Sequence, residues 1–201
     1  MARLGRGFFN EYTPKVARAL LGSILVRVVD GERISGMIVE TEAYRGAGDP
    51  ASHAYRGRTK RNDVMFGAGG HAYVYLSYGS HWCLNVTTEP AGWAGAVLIR
   101  AVEPKEGLKK MMRNRGLESE ENLTDGPGKL TKALGINSTL NGEDLVTSDR
   151  LFLERGKPVG GVRSSSRVGI RQGIQPRWRF FVGGNKFVSQ ARQSVLRRSH
   201  N

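Results

Sequence analysis

The chain has 201 residues, with 31 Lys+Arg against 18 Asp+Glu and a formal net charge of +13. With 39% hydrophobic and 24% charged residues it can build one sizeable core, which excludes a disordered polyampholyte, and it has no run near the ~18 apolar residues of a spanning helix. A single cysteine, Cys83, excludes an internal disulfide framework and any multi-cysteine metal site; with no apolar leader after Met1, the expected compartment is a reducing cell interior.

In chain order, Thr13-Pro14 reads as the N-cap and first turn of a helix that Gly22 closes, with Val16, Ala17, Leu20 and Leu21 as its apolar stripe. Ile24 to Val29 reads as a strand, Asp30-Gly31 as a hairpin turn and Gly36 to Tyr44 as the next strand. Residues 45–71, rich in Gly, Ser and Asp and carrying Arg56, Arg58, Lys60 and Arg61, read as a long functional loop. Ala72 to Tyr78 and Trp82 to Thr88 form a hairpin about Gly79-Ser80-His81, and Ala96 to Glu103 is a further strand. Pro104 to Arg115 reads as a basic helix, and Asp125-Gly126-Pro127-Gly128 introduces a short helix ending at Gly135. Asn141-Gly142 marks a turn; Leu151-Phe152-Leu153 and Trp178 to Val182 are short strands. Together these predict one α+β domain over residues 1–201, a mainly antiparallel sheet flanked by short helices, with a basic tail from about residue 190.

The basic excess is uneven. Residues 1–100 hold 12 Lys+Arg against 8 Asp+Glu, whereas beyond Glu154 there are 11 Lys+Arg and no acid. Such one-signed charge points to a polyanionic partner, nucleic acid.

Three features carry chemistry. In the strand Met37-Ile38-Val39-Glu40-Thr41-Glu42-Ala43-Tyr44, alternation places Ile38, Glu40, Glu42 and Tyr44 on one face, two acids and an aromatic ring ahead of the basic loop. Taken alone, these acids serve equally well as a reactive pair or as a solvated face. In the hairpin, Tyr73 and Tyr75 share a face, and Tyr78 beside Gly79 can project from the tip to wedge between bases. Arg100 interrupts the apolar run Ala96 to Val102, which requires a paired partner or a cleft. Gly126-Pro127-Gly128-Lys129 is not a Walker loop, because Leu123 and Leu130 stand where Gly and Ser/Thr are needed, and the four histidines show no metal-ligand spacing.

Val39-Glu40-Thr41-Glu42-Ala43-Tyr44, Asp49 to His53, Tyr73-Val74-Tyr75 with Tyr78-Gly79, Asn85, Leu98-Ile99-Arg100-Ala101 with Glu103-Pro104, Gly126 to Leu130, Glu154-Arg155-Gly156 and Arg167-Val168-Gly169-Ile170 occur in that order. This ordered set, from about Leu4 to Ser189, resembles the alkyladenine-type 3-methyladenine DNA glycosylases. The resemblance implies a curved antiparallel sheet and a monofunctional base-excision repair enzyme. Such enzymes flip a damaged purine from duplex DNA and hydrolyse its N-glycosidic bond, leaving an abasic site. Expected substrates are 3-methyladenine and 7-methylguanine, with hypoxanthine and ethenoadenine further possibilities. Glu42 then resembles the general base, with Arg100 helping to hold the water and the flipped nucleotide's phosphate. Tyr44 and Tyr75 resemble the rings that sandwich the base, His53 contacts its edge and backbone, and Asn85 screens the exocyclic amino group of guanine. Tyr78 fills the gap left in the duplex; Arg61, Asn62 and Lys129 contact the DNA backbone. No cofactor, metal or membrane is implied, and the expected state is a monomer. Ser80-His81-Trp82 departs from the bulky apolar tip of vertebrate members. The rival readings are a non-catalytic nucleic-acid-binding module and, more remotely, a one-carbon transferase.

Overall fold

The first hairpin follows directly from its turn: Asp30 and Gly31 both take positive φ, 53° and 75°, the pairing a two-residue turn of right-handed twist requires. It joins β1 (Ile24–Val29) to β2 (Glu32–Arg45) in antiparallel register. The structure, a computed structural model, describes residues 1–190. The basic tail expected from about 190 lies outside the described residues.

The remaining strands are β3 (Ala72–Ser77), β4 (His81–Thr87), β5 (Gly95–Glu106), β6 (Leu151–Glu154), β7 (Val162–Ser165) and β8 (Arg179–Val182). They form one antiparallel sheet in the order β3-β4-β5-β2-β1-β6, with β8 pairing both β2 and β7. The long strand β2 has divided partnership: β1 covers Glu32 to Met37, and β8 covers Glu40 to Glu42.

The helices are α1 (Arg6–Phe9), α2 (Thr13–Ala19), α3 (Leu108–Arg115) and α4 (Pro127–Leu134). Leu20 and Val16 from the α2 segment, Met111 of α3 and Leu130, Ala133 and Leu134 of α4 are fully covered and pack with Ile38, Ala43, Val97, Ile99 and Val102 in the main core. A smaller cluster of Ala54, Met65, Tyr73 and Ala96 anchors the 45–71 loop to the sheet.

Three sequence expectations are corrected. Pro104 to Glu106 continues β5, with Pro104 paired to Gly36, so the basic helix begins at Leu108 and not at Pro104. Thr13 lies inside α2 after Tyr12, and its N–H and hydroxyl donate to Glu89, so a distant carboxylate caps this helix at 3.0 and 2.8 Å. Helix α2 ends at Ala19, short of Gly22. Strand β7, Val162-Arg163-Ser164-Ser165, carries no alternation signal in the sequence and owes its place to pairing with β8.

The strict alternation read along β2 also fails at one place. The register against β5 shifts on either side of Glu40, leaving Val39 extra on β2 and Arg100 extra on β5. These two bulges turn Ile38 into the main core with Ala43, while Val39 packs with Ala101 and Phe187. Glu40, Glu42 and Tyr44 keep a common face, but Ile38 does not belong to it. The same bulge presents Arg100 to both acids.

Candidate active site

Glu42 is completely buried, an arrangement a carboxylate tolerates only with donors around it. Its Oε1 accepts the Val168 backbone N–H at 2.7 Å; Oε2 accepts the Tyr44 hydroxyl at 2.8 Å and Arg100 Nη1 at 3.4 Å. Tyr44, Arg100 and Val168 all line one cavity of about 480 Å³, and Glu42 sits directly behind them. That volume is of the size that takes a small ligand.

Glu40, equally buried, is saturated differently. Its Oε1 accepts Arg100 Nε at 2.7 Å, Arg179 Nε at 2.7 Å and Ser189 Oγ at 2.8 Å, and its Oε2 accepts the Ser189 N–H at 2.6 Å. Burial pushes the Glu40 carboxyl up, but the Arg100 and Arg179 guanidiniums override this and hold it below its ordinary value. Burial likewise works against charge on Arg100, and Glu42 and Glu40 more than restore it. The Tyr44 phenol is pushed well up by burial and by the Glu42 charge, so it remains a neutral donor to that carboxylate.

Above the acids the cavity is aromatic. Tyr75 meets the His53 ring edge-on at a centroid distance of 4.5 Å, and the Tyr73 hydroxyl lies 2.9 Å from His53 Nδ1. Desolvation, and next the Arg61 charge, hold the His53 imidazole below its ordinary value, which keeps it neutral at pH 7. Burial also raises Tyr73, Tyr75 and the Cys83 thiol, so these lining groups carry no charge at neutral pH.

Asn85 is buried on β4, its Nδ2 donating to the Tyr73 carbonyl at 3.0 Å, and it lines the same cavity. Tyr78 stands at the mouth, 92% exposed, with a positive φ of 47° that few non-glycine residues adopt. Arg61 lines the rim with its guanidinium 5.6 Å from the Tyr75 ring centroid.

The structure therefore brings Glu42, Arg100, Tyr44, His53, Tyr75, Asn85, Tyr78 and Arg61 to one cavity. It does not bring Asn62 or Lys129 there. Asn62 is buried and braces the loop: its amide donates to the carbonyls of His53 and Gly57 and accepts from the Thr59 N–H. Lys129, at the start of α4, is held by Asp125 at 2.9 Å and lies in an adjoining groove with Arg115, Lys132 and His81. Sequence reasoning assigned no role to Arg167, Val168 or Asp49, although all three stand in motifs it singled out. The contacts that join Arg167 to Asp49 and Val168 to Glu42 span more than one hundred residues.

The sequence profile of the methylpurine-DNA glycosylase family matches residues 7–186. The chain belongs to the methylpurine-DNA glycosylase family. Relatives in this family support the match along nearly the whole length. A protein of Chlorobium phaeobacteroides (strain BS1), named as a candidate 3-methyladenine DNA glycosylase, is 50% identical over 192 residues, covering 94% of this chain and 96% of the relative. One of the same name from Carboxydothermus hydrogenoformans is 48% identical, covering 93% and 98%. A third, from Desulfitobacterium hafniense (strain Y51), is 44% identical, covering 94% and 99%.

Proposed function

We propose that this member of the methylpurine-DNA glycosylase family is a monofunctional DNA glycosylase acting on alkylated purines flipped from duplex DNA. The observation that carries this reading is the carboxylate of Glu42, held by three donors at the base of an aromatic cavity with a basic rim.

Cleavage of a purine nucleotide's glycosidic bond develops positive charge on the sugar. The Glu42 carboxylate stabilises that charge and accepts the proton of the attacking water. Arg100 holds the longest of the three contacts to Glu42, 3.4 Å, and is the wall group whose small movement admits water to the carboxylate. Glu40 holds Arg100 from the other side, so this movement pivots on a fixed Nε. Tyr44 and Tyr75 offer ring faces to a flat base, and methylated purines that carry a positive charge are favoured by those faces. His53, neutral, contacts the base edge and backbone, and Asn85 forms the floor that screens the guanine amino group. Tyr78 enters the duplex gap. Arg61, and Lys129 in its groove, meet phosphates, while Asn62 acts through the loop it braces.

Expected substrates are 3-methyladenine and 7-methylguanine, with hypoxanthine and ethenoadenine as neutral candidates. No lysine lines the cavity among the described residues, in keeping with hydrolysis without strand cleavage by a Schiff base. The enzyme acts as a monomer in the cell interior. Incubation with duplex DNA methylated by dimethyl sulfate, without added cofactor, should release free methylpurines. Binding of that DNA with no base released would assign the protein to the non-catalytic class.

A further inference from the structure

Arg167 is the largest fully buried side chain of the described residues, and it lies outside the cavity. Its guanidinium forks onto Asp49, Nη1 to Oδ2 at 2.6 Å and Nη2 to Oδ1 at 2.7 Å, and both side chains are sealed from solvent. Nη1 also donates to the Ala43 carbonyl at 2.9 Å and Nη2 to the Gly173 carbonyl at 3.0 Å. Asp49 in turn accepts the N–H groups of Arg45 and Ala51 at 3.0 and 3.2 Å. The guanidinium lies 4.6 Å from the Tyr44 ring centroid and 5.2 Å from that of Trp178.

These contacts converge on Glu42. Ala43 follows Glu42 on β2, Tyr44 donates to its carboxylate, and Val168, which supplies the 2.7 Å N–H, follows Arg167 directly. Asp49 opens the turn that leads to His53. One guanidinium thus ties β2, the 45–71 loop and the 167–173 loop at the point where they meet. The close fit extends to Gly173, where a Cβ would come within 3.1 Å of both Arg167 Nη2 and Asp49 Oδ1, at a φ of 62° that itself favours glycine.

A buried ion pair is a weak source of net stability, because desolvating both charges offsets most of their attraction. Nη1 and Nη2 bind three separate segments, although the buried Nε has no partner, and this pattern indicates placement of those segments instead. We infer that the Arg167–Asp49 pair is the positioning element that fixes the Val168 N–H and the Tyr44 ring, and through them the rotamer of the Glu42 carboxylate. The inference rests on the glycosylase reading above. Lysine cannot replace the fork, since an ammonium is a point donor without planar geometry.

The test uses enzyme in saturating excess over dimethyl sulfate-methylated duplex and follows release of free methylpurine in a single turnover. The rate constant so obtained does not depend on the fraction of enzyme that is folded, whereas the amplitude does. For Arg167→Lys the rate constant should fall on the order of 100-fold, the cost of slightly misplacing a reacting group, with a smaller fall for Asp49→Asn. Affinity for a duplex bearing a tetrahydrofuran abasic analogue should stay at the wild-type value in both. A rate constant unchanged in either soluble variant overturns the inference. Equal losses of rate and affinity also overturn it, and assign the pair to the shape of the whole pocket. If Arg167→Lys fails to fold, Asp49→Asn, which keeps the shape of the acid, decides alone. Failure of the wild-type protein to release any base would instead remove the glycosylase reading itself.

Discussion

Glu40 and Glu42 leave the same face of β2, both fully buried, and share Arg100 between them at 2.7 and 3.4 Å. Their other partners divide the work. Glu40 is closed off by Arg179 and Ser189, while Glu42 is surrounded by groups that line the cavity. The Glu40 contact is the nearer and the Glu42 contact the longer.

Glu42→Gln keeps the shape of the side chain and its acceptor for the Val168 N–H, but it cannot take a proton. Excision of 3-methyladenine should fall by about 10²–10⁴, the span usual for a lost general base. Binding to a duplex with an abasic analogue should persist. Excision at the wild-type rate would remove Glu42 from the chemistry.

Glu40→Gln should act on stability, since it leaves two buried guanidiniums without their shared charge; at neutral pH the loss should be about 3–5 kcal/mol in urea unfolding. The pH dependence has a definite sign. The folded Glu40 carboxyl lies below its ordinary value of 4.5, so its contribution is complete above that value and is lost as pH falls through the folded value. The stability gap between wild type and variant should therefore narrow in acid. A gap that stayed constant as the pH was taken well below 4.5 would contradict the assignment.

Tyr78 stores strain at the cavity mouth, with a left-handed backbone and a solvated ring. Tyr78→Gly removes the steric cost and adds the chain entropy of glycine, for a net gain of about 0.5–1 kcal/mol in thermal stability. The same change should weaken binding to an abasic duplex. If the variant bound as tightly as wild type, the ring would have no part in holding the opened duplex.

The charge of +13 predicts binding that weakens steeply with salt. Arg61→Ala should reduce the slope of log K against log salt by about one, the value of one phosphate contact. Lys129→Ala should change it less, because Asp125 already neutralises that ammonium. Equal slopes for wild type and Arg61→Ala would show that this rim cation does not meet phosphate.

The shared face of Glu40, Glu42 and Tyr44 was legible from alternation, and β1 and its Asp30-Gly31 turn from local turn chemistry. The exclusion of Ile38 from that face was not, because the bulges at Val39 and Arg100 arise from the pairing of two strands and leave no mark in either. Pro104 misled for a related reason: it suits the first turn of a helix, but pairing with Gly36 extends the strand past it. Arg167 and Asp49 stand 118 residues apart with no local pattern joining them, so neither could be assigned a role before the fold was seen.

The divided partnership of β2 bears on the order in which the protein becomes active. Glu42 is made early, and the groups that set it, Arg100, Val168 and Arg179 by way of Glu40, are made progressively later. During synthesis Glu42 and Tyr44 precede Val168 and Arg179 by more than a hundred residues. On the proposed function, the site is complete only once β8 has paired with Glu40 to Glu42 on the second half of β2.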